Sequence, residues 1–295
     1  RSSAASDVYK RQLEEGAYGA QTLDALVSAI DVNDLIDLQA ALPRAVTLDY
    51  PPERFIEGFR LSRQLWQLGF DRAGLIALAA RLRRGETIDE AQRHWFKQVR
   101  ARFKHLRFAF FLYSQQHRSP KMLSLVTLVM GELQDAVKVK GPAEVQQQAS
   151  RLSFLLKAPT WRLLTREADR FVPSGAAGFR RFTLAEMASL QPLLAAPTIG
   201  AHAFHAGRKV ISRQVSFHDD MRTLYPAEEH QTMARWLATL NGLMGQFHDD
   251  LVARNASGKF SYARDTFALP DDIRSRLAEL ATLYLGTSSS VPSAS

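Results

Sequence analysis

Apolar positions along this chain recur with helical spacing. Leu23, Leu26, Val27 and Ile30 fall at i, i+3, i+4 and i+7, and Leu35, Leu38 and Leu42 carry the theme onward. Pro51-Pro52-Glu53 opens a second helix running to about Leu68, and Asp71 caps a third that ends near Gly85. Thr87 with Glu90, and Thr183 with Glu186, have the Thr-x-x-Glu spacing of a capping box. Pro120, Pro142, Pro226 and Pro270 stand where a first helical turn tolerates proline. Neither convincing alternation of apolar and polar residues nor clusters of β-branched residues are found. The pattern predicts an all-α chain of about ten helices and no sheet. Residues 1–19 are polar and patternless and 286–295 are Ser-rich, so both ends are expected to stay unfolded. Residues 20–90 read as N-terminal helices that either complete a bundle or form a separate layer.

Composition narrows the function classes. Of 295 residues, 46% are hydrophobic and 23% charged, an ordinary globular balance. There is no cysteine, which removes disulfides, thiolate metal sites and cysteine nucleophiles. Neither an uncharged apolar run of spanning length nor an apolar leader is found, so the expectation is a cytoplasmic protein with no membrane partner. The 38 Lys and Arg outnumber 30 Asp and Glu, a formal charge of +8, and 29 of the cations are Arg. The planar guanidinium fork suits phosphate and carboxylate, so the excess points to an oxyanion partner.

The cations are concentrated. From Arg93 to Lys121 there is no Asp or Glu, and Arg93, Lys97, Arg100, Lys104 and Arg107 are spaced 4, 3, 4, 3 along one side of a helix. Phe96, Val99, Phe103, Leu106 and Phe110 form a separate apolar stripe. Like charges one turn apart repel by a few tenths of a kcal/mol per pair, so such a column calls for a compensating neighbour or a bound anion. A second basic cluster, His205, Arg208, Lys209 and Arg213, starts a helix after a break at Pro197–Gly200.

Each basic helix is followed by the same phrase. Met130-Gly131 leads to Asp135 and Met244-Gly245 leads to Asp249, 30 residues after Arg100 and 36 after Arg208. Glycine inside a helix costs about 1 kcal/mol relative to alanine, so its recurrence suggests close approach of a neighbouring helix. Two copies of a basic helix, a turn and a Met-Gly helix imply a pseudo-symmetric protein, with residues 91–285 as a duplicated helical domain.

The order His-x-x-Arg-Lys on one helix followed by Gly-x-x-x-Asp on the next, twice over, resembles the CHAD family, the conserved-histidine α-helical domain. The resemblance covers roughly Arg93 to Arg254. It implies two related helical bundles lining a basic groove that binds inorganic polyphosphate. Carried onto this chain, the ligands would be Lys97, Arg100, Lys104, His105 and Arg107 in the first copy, and His205, Arg208, Lys209 and Arg213 in the second. Arg100, Arg107 and Arg208 would act as bidentate clamps, and Lys97, Lys104 and Lys209 as point charges. The first copy departs from the family at its leading histidine, where Lys97 stands; in the second, Ser212 and Val215 replace expected cations. The triphosphate-cleaving β-barrel often fused to such domains, with its Glu-x-Glu-x-Lys signature, leaves no trace in the sequence. The expectation is a non-catalytic binding module with no cofactor, associated with polyphosphate granules. Nucleic acid fits less well, because the aromatic residues lie on the apolar stripe and not among the cations.

Two other readings compete. Phe217-His218-Asp219-Asp220 and Phe247-His248-Asp249-Asp250 repeat one tetrapeptide thirty residues apart and, with His205 and His230, offer imidazole and carboxylate ligands for a metal-dependent phosphohydrolase. A structural alternative has His218 and Asp219 as polar caps near Pro226. The third reading is a helical module docking an acidic protein.

Overall fold

A computed structural model describes residues 17–139, 141–258 and 260–287. The helices are α1 (Ala20–Asp31), α2 (Pro52–Leu68), α3 (Arg72–Arg83), α4 (Glu90–Tyr113), α5 (Lys121–Val139), α6 (Pro142–Leu155), α7 (Ala158–Ala168), α8 (Ala176–Ala188), α9 (Gln191–Ala195), α10 (Ala201–Leu224), α11 (Glu228–Ala256) and α12 (Asp271–Gly286). The chain is all-α. The expectation of no sheet needs one small correction: β1 (Ile199–Gly200) and β2 (Thr266–Phe267) pair antiparallel. The flanks expected to be unfolded fall largely outside the described residues, although α12 runs through Gly286.

The chain divides into two compact units. The first joins the residues up to Leu23 to Glu53–Ser174, and the second joins Asp24–Pro52 to Gly175 onward. Of the N-terminal helices, α2 and α3 belong to the first unit and most of α1 to the second.

In the first unit, α3 packs on α6, α5 on α4, α6 and α7, and α6 on α7. Its core is aromatic. Phe59 stacks on Phe171, Phe110 meets Phe59 edge-on, and Trp66 lies against Phe103 and Trp161. Asp71 caps α3 as the sequence predicts, accepting from the N–H groups of Ala73 (2.8 Å) and Gly74 (2.9 Å). Past its end Gly85 has φ +85°, a left-handed conformation that glycine adopts without steric cost. The capping box before α4 is shifted by two residues. Asp89, not Thr87, accepts from Gln92 N–H (2.8 Å), while the Gln92 side chain accepts from Asp89 N–H (3.2 Å).

In the second unit α10 packs on α11, and α12 packs on α8, α9 and α11. Thr183 and Glu186 form no capping box; they lie inside α8, which Gly175 starts. Thr183 is buried, so the coincidence of spacing is overruled by the apolar run around it. Pro142 alone of the four named prolines opens its helix from inside. Pro120, Pro226 and Pro270 stand just before α5, α11 and α12.

The leucines after α1 do not prolong it. Leu35 and Leu38 are each 63% exposed, and the backbone there is captured by α11 instead. Asp37 N–H donates to Thr239 Oγ1 (3.0 Å), and Asn241 Nδ2 donates to Asn33 O (2.9 Å). Gly242 makes room for this crossing, because a Cβ there would lie 2.3 Å from Asp34 O. Beyond it Val46, Leu48 and Tyr50 are buried while Thr47 and Asp49 are exposed. That is alternation of period two on a segment that joins no sheet.

Candidate anion-binding sites

In the first unit α4 buries the predicted stripe completely: Phe96, Val99, Phe103, Leu106 and Phe110 are all core residues. It also buries a second row. His105, Phe108, Ala109 and Leu112, at i, i+3, i+4 and i+7, are all buried, so His105 does not share the solvent-facing side of the basic run and is only 4% exposed. That placement differs from the expectation that His105 is an anion ligand. The remaining cations occupy what is left of the helix surface. Lys97 is exposed, and Arg100, Lys104 and Arg107 are half-buried. Arg93, at the outer end, pairs with Glu90 at 2.6 Å, a compensation supplied by its own first turn. Arg107 donates to Thr127 Oγ1 of α5 (3.2 Å) and lies with Lys104 over the Phe108 ring, at 5.4 and 5.7 Å.

The Met-Gly phrase has a specific use here. A Cβ on Gly131 would stand 2.9 Å from Arg100 Nη2, so the missing side chain on α5 is the seat of the Arg100 guanidinium. The matched pair in the second unit repeats the arrangement more loosely: a Cβ on Gly245 of α11 would be 3.9 Å from Arg208 Nη2. Gly131 thus accommodates the arginine of the preceding helix, whereas at Gly245 a Cβ would meet Arg208 only at ordinary contact distance. With Arg100 set against Arg208, the two basic helices read His94-x-Phe96-Lys97-x-x-Arg100 and His202-x-Phe204-His205-x-x-Arg208, and both phenylalanines are buried. The histidine pair His94 and His202 escaped the sequence reading, although setting Arg100 against Arg208 would have revealed it.

The second site gathers on the first three turns of α10. Phe204 anchors them, packing edge-on against Phe247 (5.4 Å) and Phe267 (5.7 Å). His202, His205 and Lys209 are exposed and Arg208 is half-buried. Three of them (His202, His205 and Lys209) line a cavity of about 390 Å³ whose far walls are Glu186 and Ser189 of α8 and Tyr262 of the loop after α11. The His205 ring lies 5.5 Å from that of His248, which in turn meets Tyr262 edge-on at 5.5 Å. Burial pushes the Tyr262 hydroxyl above the usual phenol range, partly offset by the charge of Arg208, so it stays a neutral donor. Arg213 also lines this cavity, but its guanidinium is already paired. It is buried and held by both carboxylate oxygens of Glu186, one at 2.9 Å, so its guanidinium is committed to the fold.

The repeated tetrapeptide separates into two environments. In its first copy His218, Asp219 and Asp220 are buried in the second unit. His218 contacts His230 Nδ1 through its own Nδ1 (3.2 Å) and Tyr284 Oη through Nε2 (3.2 Å), and Tyr284 donates to Gln214 Oε1 (3.2 Å). Asp219 accepts from Arg222 (2.8 Å), which also donates to Ala29 O (3.1 Å). In the second copy Asp249 and Asp250 are exposed. Among the described residues no three His, Asp or Glu side chains come together as metal ligands. No described helix is long and apolar enough to cross a membrane. No family model, curated protein or solved structure matches the chain.

Proposed function

We propose that this chain binds inorganic polyphosphate without cleaving it, through Lys97, Arg100, Lys104 and Arg107 on α4 and through His205, Arg208 and Lys209 on α10. The observation that carries the reading is the twice-used arrangement of an arginine over a helical glycine, close for Arg100 on Gly131 and looser for Arg208 on Gly245, each amid further cations. A planar fork of donors held against a helix, with lysines nearby, suits a chain of tetrahedral oxyanions. The resemblance to CHAD domains and the formal charge of +8 support the same ligand. His105 and Arg213 are left out of the site on grounds of burial. Nucleic acid is a weaker candidate, because Phe96, Phe103, Phe108, Phe110 and Tyr113 of α4 are in the core, where bases cannot stack on them. Association with polyphosphate granules in the cytoplasm would follow from this reading.

The test is retention of polyphosphate across a salt series. Neutralising phosphates releases counterions, as for nucleic-acid binders, so the affinity of the unaltered chain should fall steeply with salt. Arg100→Glu combined with Arg208→Glu should abolish retention at moderate salt; unchanged retention refutes the assignment.

A further inference from the structure

Aligned in sequence on Arg100 with Arg208, and on Gly131 with Gly245, the two stretches are charged very differently. Position for position, Lys97 of the first copy answers to His205 of the second, and Gln134 answers to His248. Lys104 and Arg107 answer to Ser212 and Val215. The first copy therefore keeps four cations whose charge does not depend on pH near neutrality. The second keeps Arg208 and Lys209, has Arg213 bound by Glu186, and sets His205 in the cavity with the His248 ring 5.5 Å away. His94 and His202 match one another, so they do not explain the difference.

Resting on the polyphosphate reading, we infer that the chain has two unequal anion sites: a permanently charged one on α4, and one on α10 that acidification switches on through His205 and His248. Histidine is the side chain that gains its charge between about pH 5 and 8. The groups facing His205 are His202, Arg208 and Lys209 on its own helix, His248 and Asp249 from α11, Tyr262 from the loop, and Glu186 of α8, already paired with Arg213. The two rings are 5.5 Å apart, so two imidazolium ions there repel one another and a bound polyanion relieves the repulsion. The Asp249 carboxylate, 3.5 Å from His248 Nδ1, stands beside the second charge. By linkage, what strengthens anion binding at low pH also obliges the protein to take up protons when the anion binds near neutral pH.

The experiment separates the copies with single charge reversals in the full chain. Arg208→Glu leaves the α4 site and Arg100→Glu leaves the α10 site; short-chain inorganic polyphosphate is titrated into each at pH 8.0 and 5.5 at constant ionic strength. A unit charge about 5 Å from an anion in water-like surroundings is worth roughly fourfold in affinity, so two give on the order of tenfold. The Arg100→Glu chain should gain about that factor on acidification beyond any gain of the Arg208→Glu chain, which shares the ligand's own titration. Adding His205→Gln and His248→Gln should erase the excess, and His205→Lys should make the α10 site bind at pH 8.0. Proton uptake on binding to the unaltered chain in weak buffer near pH 7 provides an independent readout. Equal pH profiles for the two charge reversals, or an excess that survives loss of both histidines, overturn this inference alone. Failure of the unaltered chain to bind at either pH overturns the polyphosphate reading with it.

Discussion

Acidification should weaken the second unit through His218, with a slope that follows from the surroundings of that residue. His218 is fully buried, and its hydrogen bonds define its tautomer. Tyr284 Oη donates to Gln214 Oε1, so it accepts from His218 Nε2–H, which leaves Nδ1 as the acceptor for His230 Nδ1–H. A second proton on His218 would point a donor at a donor, in a fully buried site with the Arg222 charge nearby. Burial first, then His230 and Arg222, hold the imidazole well below its ordinary value of 6.5. The sign follows. Below pH 6.5 the unfolded chain binds a proton that the folded chain refuses, so stability is fully present above 6.5 and falls as the pH drops towards the folded value. The slope approaches about 1.4 kcal/mol per pH unit from this one group. Urea unfolding at half-unit steps from pH 7.5 to 4.5 would measure it, with His218→Gln as the comparison. The variant should be less stable at pH 7.5, having lost part of the relay, and its stability should fall less steeply below pH 6.5. Parallel profiles for the two chains would refute the reasoning.

Two further expectations concern the glycine seats and the internal ion pair. Gly245→Ala places its Cβ at ordinary contact distance from Arg208, so replacing a mid-helix glycine should stabilise the chain by up to about 1 kcal/mol in thermal unfolding without loss of polyphosphate affinity. Gly131→Ala pushes on the far end of a flexible arginine, so stability should change little while Arg100 is displaced and binding by the α4 site weakens. Arg213→Ala leaves the Glu186 carboxylate nearly buried without its clamp, and should cost about 3 kcal/mol in urea unfolding. Its effect on binding should be much smaller than that of Arg208→Glu, since Arg213 is already held by the protein; a larger effect would return Arg213 to the anion site.

The sequence by itself determined most of the helices and the two cationic clusters, because 3.6-residue periodicity, the cap at Asp71 and the breaks at Pro120 and Pro197 are local properties of the chain. It also carries the repeated Met-Gly phrase, whose packing role at Gly131 appears only where the Arg100 guanidinium of the preceding helix lies against it. The tertiary structure alone decided which polar residues go inside. Arg213 and His218 carry no sequence mark distinguishing them from Arg208 and His205, and His105 shares its spacing with Phe108, Ala109 and Leu112 beside a stronger apolar stripe; each is buried because the helix face it occupies has a neighbour. The same limit explains residues 33–50. Their leucines keep a helical spacing, yet the hydroxyl of Thr239, the amide of Asn241 and the gap at Gly242, some two hundred residues away, hold the start of that segment in turns and out of a helix. A hydrogen bond to a distant partner replaces the local one, and no local pattern can report it.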